Sequence, residues 1–461
     1  MSTHDLRFIA GFAAAFACAS ACAHDGDLDP TFGTSGGFTV LDFGAIATAY
    51  GTAIAPDGRI AIGGVVEGGA ATGTDFAAAL LTRDGLPDPL FSVDGKTTVA
   101  VGDGAAYDGS LNAIVQSDGK IVIIGEGPDT DDPLDDSDFK LVRLRTDGTL
   151  DPTFSGDGKA YINFDLGGSN SDRALDAVQL PNGKLLVVGQ VDVTDQGEDF
   201  GIVRLNADGS RDTSFNGDGR VTLHFDLDPV FLGEIPCGIA IDSAGNIIVA
   251  GSAEKDTASV HDFVVARLTP DGVLDPNFGG DGRVSVAFDL GGDLDDQALE
   301  LIVAADDSIF VTGVVRDNGY DFAAARLLSD GTPDPGFGNN GRATVAFDLG
   351  GANDDTSYGA ALQPDGKLVL TGFVPISATD ADIALARLGT DGTLDPTFGF
   401  AGKTVIPLNL NGPLFDAAVR SQIQGNYLVF SGVTSLVEGV TSFLAGRVII
   451  DTLFDHGFED G

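Results

Sequence analysis

Clusters of aspartate are the residues in this chain best placed to do chemistry. Asp129, Asp131, Asp132, Asp135 and Asp136 crowd one polar stretch, Asp293, Asp295 and Asp296 a second, and Asp354 and Asp355 a third. Pairs such as Asp129/Asp131, Asp293/Asp295 and Asp354/Asp355 offer the hard oxygen donors that calcium prefers. None of these stretches carries the full twelve-residue calcium loop with its central glycine and final glutamate. Structural Ca2+ and a solvated acidic rim therefore both stay open, the metal ligands are unassigned, and no other cofactor is implied.

Acid–base and nucleophilic chemistry find less support. His261, beside Asp262, is the candidate acid–base histidine, whereas His224 falls on an expected outer strand. No serine or cysteine stands in a nucleophile context, and carboxylates are too abundant for a glycosidase pair to be picked out. No catalytic residue is assigned on this basis. Cys18 and Cys22 lie near the N-terminus, so Cys237 has no intrachain disulfide partner. It shares its slot with Tyr50, Leu111, Leu175, Leu299 and Tyr358 and reads as a small buried hydrophobe.

Charge narrows the partner classes. A formal net charge of −44 on 461 residues disfavours nucleic acid and anionic membrane surfaces and favours cations and basic surfaces. Residues 1–23 read as an export signal: Arg7, a short apolar core from Phe8 to Ala21, and the small-x-small site Ala21-Cys22-Ala23 before His24. The apolar stretch is shorter than the roughly 18 residues a membrane span needs, so no transmembrane segment is expected after its removal. Ala19-Ser20-Ala21-Cys22 lacks the usual leucine of a lipidation signal, which ranks a lipid anchor at Cys22 below cleavage. A secreted or periplasmic monomer is the expectation.

The element that must position all these groups is a phrase spoken seven times. Asp147-Gly148-Thr149-Leu150-Asp151-Pro152-Thr153-Phe154 is one copy, and the aspartate of its Asp-x-x-Phe core falls at Asp29, Asp88, Asp151, Asp212, Asp275, Asp334 and Asp395. A period of about 60 residues marks a repeat architecture. Within the unit from Ala174 to Phe225, four short β-rich runs are separated by turn signals such as Pro181-Asn182-Gly183, with no helical period. The pattern predicts an all-β, seven-bladed β-propeller with four strands per blade over residues 24–450, followed by a tail at 451–461. The last unit supplies only three strands. The unmatched run from Gly37 to Phe43 is expected to join its outer edge and close the ring.

Two motifs alternate along the chain, Asp-Gly-x-Leu-Asp-x-x-Phe-Gly-x-x-Gly-Lys/Arg (Asp271 to Arg283, Asp391 to Lys403) and x-x-Asp-Gly-Lys-Ile/Leu-x-x-x-Gly (Asp118 to Gly125, Asp365 to Gly372). They resemble the delta-60 repeat family of bacterial proteins over about residues 26 to 450. The resemblance implies an exported propeller-like repeat protein and brings no activity or catalytic residues with it. Asp307-Ser308 in the fifth unit and Gln424-Gly425-Asn426 in the seventh depart from the second motif. The C-terminal Leu453 to Asp460 is similar to a short Phe-x-x-Gly-Phe-Glu ending of exported proteins, with a frayed tail as the plain alternative.

Recurrence also assigns roles. Arg143, Arg204, Arg267, Arg326, Arg387 and Arg447 share one third-strand slot, where the first unit has Leu80. A structural pairing of each with the carboxylate of Asp88, Asp151, Asp212, Asp275, Asp334 or Asp395 is favoured over an anion-binding ring, because every repeat must be fastened to its neighbour. Lys96, Lys159, Arg220, Arg283, Arg342 and Lys403, and Arg59, Lys120, Lys184 and Lys367, are read as scaffold cations too. One propeller face then carries uniform turns, and the other carries variable acidic loops, where binding residues concentrate. The expected function is an exported, non-catalytic scaffold that binds a polar or cationic protein or glycan partner through that acidic face. The alternatives are a calcium-dependent adhesion or glycan-binding propeller and a propeller hydrolase or lyase.

Overall fold

Runs of β-branched and aromatic residues broken by glycine turns give strands throughout: the described residues form 28 strands and no helix. The structure is a computed structural model that describes residues 24–68, 73–101, 109–128, 137–167, 171–194, 197–225, 227, 233–256, 260–288, 290, 295–317, 319–349, 353–410, 414–437 and 439–451. The expected export signal, Cys22 and residues 452–461 of the tail lie outside them. So do Asp129, Asp131, Asp132, Asp135, Asp136 and Asp293.

The strands make seven four-stranded antiparallel sheets, arranged as the blades of a propeller. Blade three is representative, with Arg173–Gln179 innermost, then Leu185–Val193, Gly197–Leu205 and the outer Arg220–Leu223. Blade seven combines Asp416–Gln424, Tyr427–Val437 and Val440–Ile449 with Phe38–Leu41 from the other end of the chain. Phe38 pairs with Gly446 and Leu41 with Phe443, so the ring closes through strand pairing as the repeat phase predicts. Without that strand, Val440–Ile449 would be an open edge available to other chains.

No single core exists. Seven apolar clusters sit at the seven blade junctions, each drawing residues from two adjacent blades. Val122 and Ile124 of blade two pack toward blade three, while Ile121 and Ile123 pack toward blade one. Both faces of a blade are covered, which explains the unbroken apolar runs such as Leu185 to Val188 where a half-exposed strand would alternate.

One clasp recurs at the junctions. Arg143 Nε donates to Asp151 Oδ2 (2.8 Å) within blade two, and Arg143 Nη1 donates to the Ala207 carbonyl (2.6 Å) in blade three. The guanidinium stacks 4.6 Å from the Phe154 ring centre. Ser155, after that phenylalanine, donates its backbone N–H to the Asp208 carbonyl of blade three (2.7 Å). Phe154 lies against Gly209, where a Cβ would come within 2.9 Å of the ring and the backbone holds φ +85°. Gly85, Gly272 and Gly331 lie against Phe32, Phe215 and Phe278 of the blade before in the same way.

The closing junction uses the same parts from opposite ends of the chain. Arg447 Nε donates to Asp29 Oδ2 (2.7 Å), Arg447 Nη1 reaches the Arg83 carbonyl (3.0 Å), and Phe32 packs under Gly85. In blade one, where Leu80 replaces the arginine, Arg59 Nη1 donates to Asp88 (3.2 Å) in its stead. The cations at the start of the fourth strands reach backwards: Lys159 Nζ to the Ala100 carbonyl (2.8 Å), Arg220 Nη1 to that of Asn163 (2.9 Å).

Removing one member of a buried pair strands the other, at a cost of about 3–5 kcal/mol. Arg387 is fully buried and its Nε donates to Asp395 Oδ2 (2.9 Å). Arg387→Met is expected to lower the urea midpoint by a loss of that order, and Arg326→Met, at a looser copy, by clearly less. Burial opposes the charge on Asp151 and Asp395, but donors from Thr153 and Thr397 and the adjoining cations hold both carboxyls down at about 2. Their contribution is full above the unfolded aspartate value of about 4 and is lost as pH falls toward 2. Thermal melts between those limits check it, and a melt unchanged by acidification would contradict the clasp.

Candidate functional site

The loops joining strand two to three and strand four to the next strand one gather on one face. On that face the third strands of blades two to six carry an acid ahead of a core residue: Asp138-Phe139, Asp199-Phe200, Asp262-Phe263, Asp321-Phe322, Asp382-Ile383. The following inner strand begins with a second acid, Asp172, Glu234, Asp296, Asp355 or Asp416, and all five are buried. Several of these second acids cap the incoming chain. Asp172, Glu234, Asp296 and Asp355 accept the backbone N–H of Phe164 (3.0 Å), Phe225 (2.6 Å), Phe288 (2.7 Å) and Phe347 (2.6 Å).

That geometry separates the aspartates singled out in the sequence. Asp296 and Asp355, expected among the accessible partner contacts, are buried and turned inward onto backbone donors. Asp354, their half-buried neighbour, remains at the rim. Asp295 and His261, far apart in sequence, are brought together: His261 Nδ1 lies 2.7 Å from Asp295 Oδ1. Tyr320 Oη and Gln297 Nε2 donate to the other oxygen of Asp295 (both 2.8 Å), and His261 Nε2 stands 3.7 Å from Glu254. The hydrogen bond to Asp295 raises the His261 pKa against the opposing effect of burial. Burial opposes the Asp295 charge, but His261, Tyr320 and Gln297 hold its carboxyl at about 2. A histidine so paired favours its charged form, which suits a fixed ion pair better than a proton-transfer base.

Elsewhere on this face the acids crowd one another. Burial first, then the carboxylates of Asp355, Asp348 and Asp317, push Asp321 up to about 6. Burial and the carboxylates of Asp380 and Asp416 push Asp382 up to about 6 as well, and the Oδ1 atoms of Asp380 and Asp382 have no hydrogen-bond partner. Among the described residues, no group of three or more His, Cys, Asp or Glu side chains is arranged to hold a metal ion.

The central channel holds a second set of polar groups that repeat counting did not flag. Every inner strand carries a β-bulge, between Ala49/Gly51, Ser110/Asn112, Ala174/Asp176, Pro236/Gly238, Ala298/Glu300, Ser357/Gly359 and Ala418/Arg420. A bulge re-aims the side chains on either side of it. The inserted residues include Tyr50, Leu111, Leu299, Tyr358 and Val419, which line a cavity of about 330 Å3 toward the loop face. Tyr50, Tyr358 and Phe415 make the central mouth of this acidic face aromatic. Cys237 takes the same position in blade four and is buried, and burial with the Glu300 carboxylate pushes its thiol up.

Below that mouth, Arg420 of blade seven crosses to Glu300 of blade five in a hydrogen-bonded ion pair. Gly359 of the intervening blade leaves room for the crossing, since a Cβ there would stand 3.1 Å from the Arg420 Cα. Asp176 accepts from Asn112 Nδ2 (2.8 Å) and from the Ile239 N–H (3.0 Å), linking blades two, three and four. Burial, with Asp176 adding to it and Arg420 opposing, pushes Glu300 up to about 7. The alternating Gly51, Asn112, Asp176, Gly238, Glu300, Gly359 and Arg420 were the available sequence signal for this ring.

Raised carboxyls and a raised histidine share one direction with pH. Asp321 and Asp382 bind protons in the fold that they would release when unfolded, so their stabilisation is greatest below about 4 and fades as pH rises through about 6. The His261 contribution is full below its unfolded value of about 6.5 and is lost as pH rises through the higher folded value. Melting temperature is expected to fall between pH 5 and pH 8. Asp382→Asn should raise it by roughly 1–3 °C near pH 7.5 and flatten the profile. A melting temperature that climbs over this interval would overturn the crowding.

Comparison with known proteins bears on the repeat. The family model described as "Domain of unknown function (DUF5122) beta-propeller" matches residues 55–91, 116–154, 180–215, 245–278, 304–337 and 363–398. No curated protein matches the chain. Among solved structures, a protein of Dyadobacter fermentans DSM 18053 is similar at 13% identity, over 90% of this chain and 98% of that one, with a TM-score of 0.44. The polysaccharide lyase Uly1 is similar at 11% identity (87% and 92%, TM-score 0.46), and the WD40 propeller domain of Doa1 at 12% (89% and 97%, TM-score 0.42). Nothing about ligand or chemistry follows from likeness this distant. Each matched segment runs from the second strand to the corner phenylalanine of one of blades one to six, and the chain is a seven-bladed β-propeller repeat protein similar to that family across those blades.

Proposed function

We propose that this protein is an exported, non-catalytic scaffold of the delta-60 repeat type that binds a polar or cationic partner through its acidic loop face. The single observation that carries this reading is the uneven disposition of charge. On the turn face, the corner aspartates and slot cations neutralise each other, as in Arg204 with Asp212 (2.6 Å) and Lys184 with Asp212 (2.6 Å). On the loop face, burial and then the repulsion of Asp355, Asp348 and Asp317 raise the Asp321 pKa. A basic partner relieves that repulsion, and a net charge of −44 draws it in from a distance.

The His261–Asp295 pair is the strongest argument for an enzyme. Its Nε2 points toward Glu254, and no nucleophile among the described residues hydrogen-bonds to it. The scaffold reading accounts for the pair as a cross-blade tie, because Asp295 belongs to blade five and His261 to blade four.

Poly-lysine is a direct probe. Its binding to the full mature chain is expected to weaken steeply as salt rises from about 50 to about 500 mM, since the screening length shortens from about 14 Å to about 4 Å. Asp317→Asn with Asp348→Asn, both exposed, should reduce low-salt binding by roughly threefold to tenfold with melting unchanged or slightly higher. Binding that persists at high salt, or that ignores the double variant, would count against the loop face.

A further inference from the structure

Blade five departs from the clasp in three linked ways. Lysine fills the second-strand slot of blades two, three and six and reaches the corner aspartate: Lys120 to Asp151 (3.3 Å), Lys184 to Asp212 (2.6 Å), Lys367 to Asp395 (3.1 Å). Blade five has Ser308 there. The residue paired across from the slot arginine is Val122, Leu186, Ile248 or Val369 in blades two, three, four and six, and Phe310 in blade five. Arg326 therefore stacks on Phe310 (5.2 Å), whereas Arg143, Arg204, Arg267 and Arg387 stack on their corner phenylalanines.

The consequence is a loosened arginine beside a cavity. Blades four and seven also lack the lysine, yet Arg267 and Arg447 grip their aspartates with both nitrogens, at 2.9 Å and at 2.6–2.7 Å. Arg326 Nε stands 3.2 Å from Asp334 without hydrogen-bond geometry, and its other contacts are 3.4–3.5 Å long. Its side chain is 19% exposed, against 0–12% for the other five. Beside it a cavity of about 820 Å3 runs between blades five and six to the channel. Gln363 of blade six lines it, only 6% exposed, with its Oε1 lacking any hydrogen-bond partner.

We propose that this cleft binds a neutral polyhydroxylated ligand, a monosaccharide or short oligosaccharide. The site offers a donor seeking an acceptor in Arg326 Nε and a buried acceptor seeking a donor in Gln363 Oε1. A hydroxyl-bearing ligand supplies both, and the walls of Ile302, Leu362 and Phe310 take its C–H face. An anion would bind against Glu300 in the same cavity, Asp306 3.5 Å from Arg326, and the net charge of the chain. A cation would meet the Arg326 guanidinium. The volume lies within the range of small-molecule sites, and the cleft opens on the turn face, so this proposal does not depend on the acidic loops.

Calorimetric titration of the full mature chain with D-glucose, D-galactose and maltose, with gluconate as the anionic probe, tests it. At least one neutral sugar is expected to bind saturably. Ser308→Lys, which restores the lysine and carries it across the cleft to Asp334, should weaken that binding by about tenfold or more while leaving the melting temperature unchanged or higher. Gln363→Leu should weaken it comparably, with poly-lysine binding intact. No binding by any of the sugars, equal binding by both variants, or a preference for gluconate would each overturn the assignment.

Discussion

The propeller depends on an arginine that answers to two blades at once. Its Nε closes on an aspartate in its own blade and its Nη1 on a carbonyl of the next, as with Arg143, Asp151 and Ala207. A buried guanidinium is tolerable only when its donors are met, so the blade that supplies the arginine cannot settle until its neighbour is in place. The phenylalanine beneath it has the same requirement, because Phe154 fills the space that only Gly209 leaves open. Seven junction cores, not one central core, make these clasps the elements that set blade-to-blade geometry.

This arrangement divides the molecule into two electrostatic territories. Cations are drawn to the turn face, where those of the second and third strands meet the corner aspartates and those of the fourth strands reach carbonyls of the blade before. The loop face keeps the acids and few of the bases. Some of its carboxylates become caps for the incoming chain, as Asp355 does for the Phe347 N–H. Others, such as Asp321 and Asp382, remain crowded and hold their protons to about pH 6. Negative charge on that face is therefore partly a by-product of how the scaffold spends its bases, and it is also the property by which a partner would recognise it.

Repetition makes a single exception informative. A slot filled the same way in most blades serves the ring, and removing it from one blade leaves the others to hold the fold. In blade five, Ser308 and Phe310 together free Arg326 from the grip seen at Arg267 and Arg447, which also lack the lysine. A cleft of about 820 Å3 lies beside it, between blades five and six. The variable loops are one place where such a protein can acquire specificity, and an unlocked clasp is another.

The blade count, the four strands per blade, the closure by the N-terminal strand and the Arg–Asp pairing were all legible in the sequence. Each is a local pattern repeated at a fixed period, and repetition amplifies turn chemistry and strand alternation until they are unambiguous. The candidate sites were legible only in part. His261 and Asp295 were picked out separately, but their contact depends on which strands the ring sets side by side. Asp296 and Asp355 read as loop acids, and burial shows them to be caps, because a carboxylate near a strand end can face solvent or backbone with the same sequence. The channel pair of Glu300 and Arg420 joins residues about 120 positions apart, placed by seven bulges that shift each inner strand by one residue. Local periodicity carries no record of where the seventh blade meets the fifth; only closing the ring decides it.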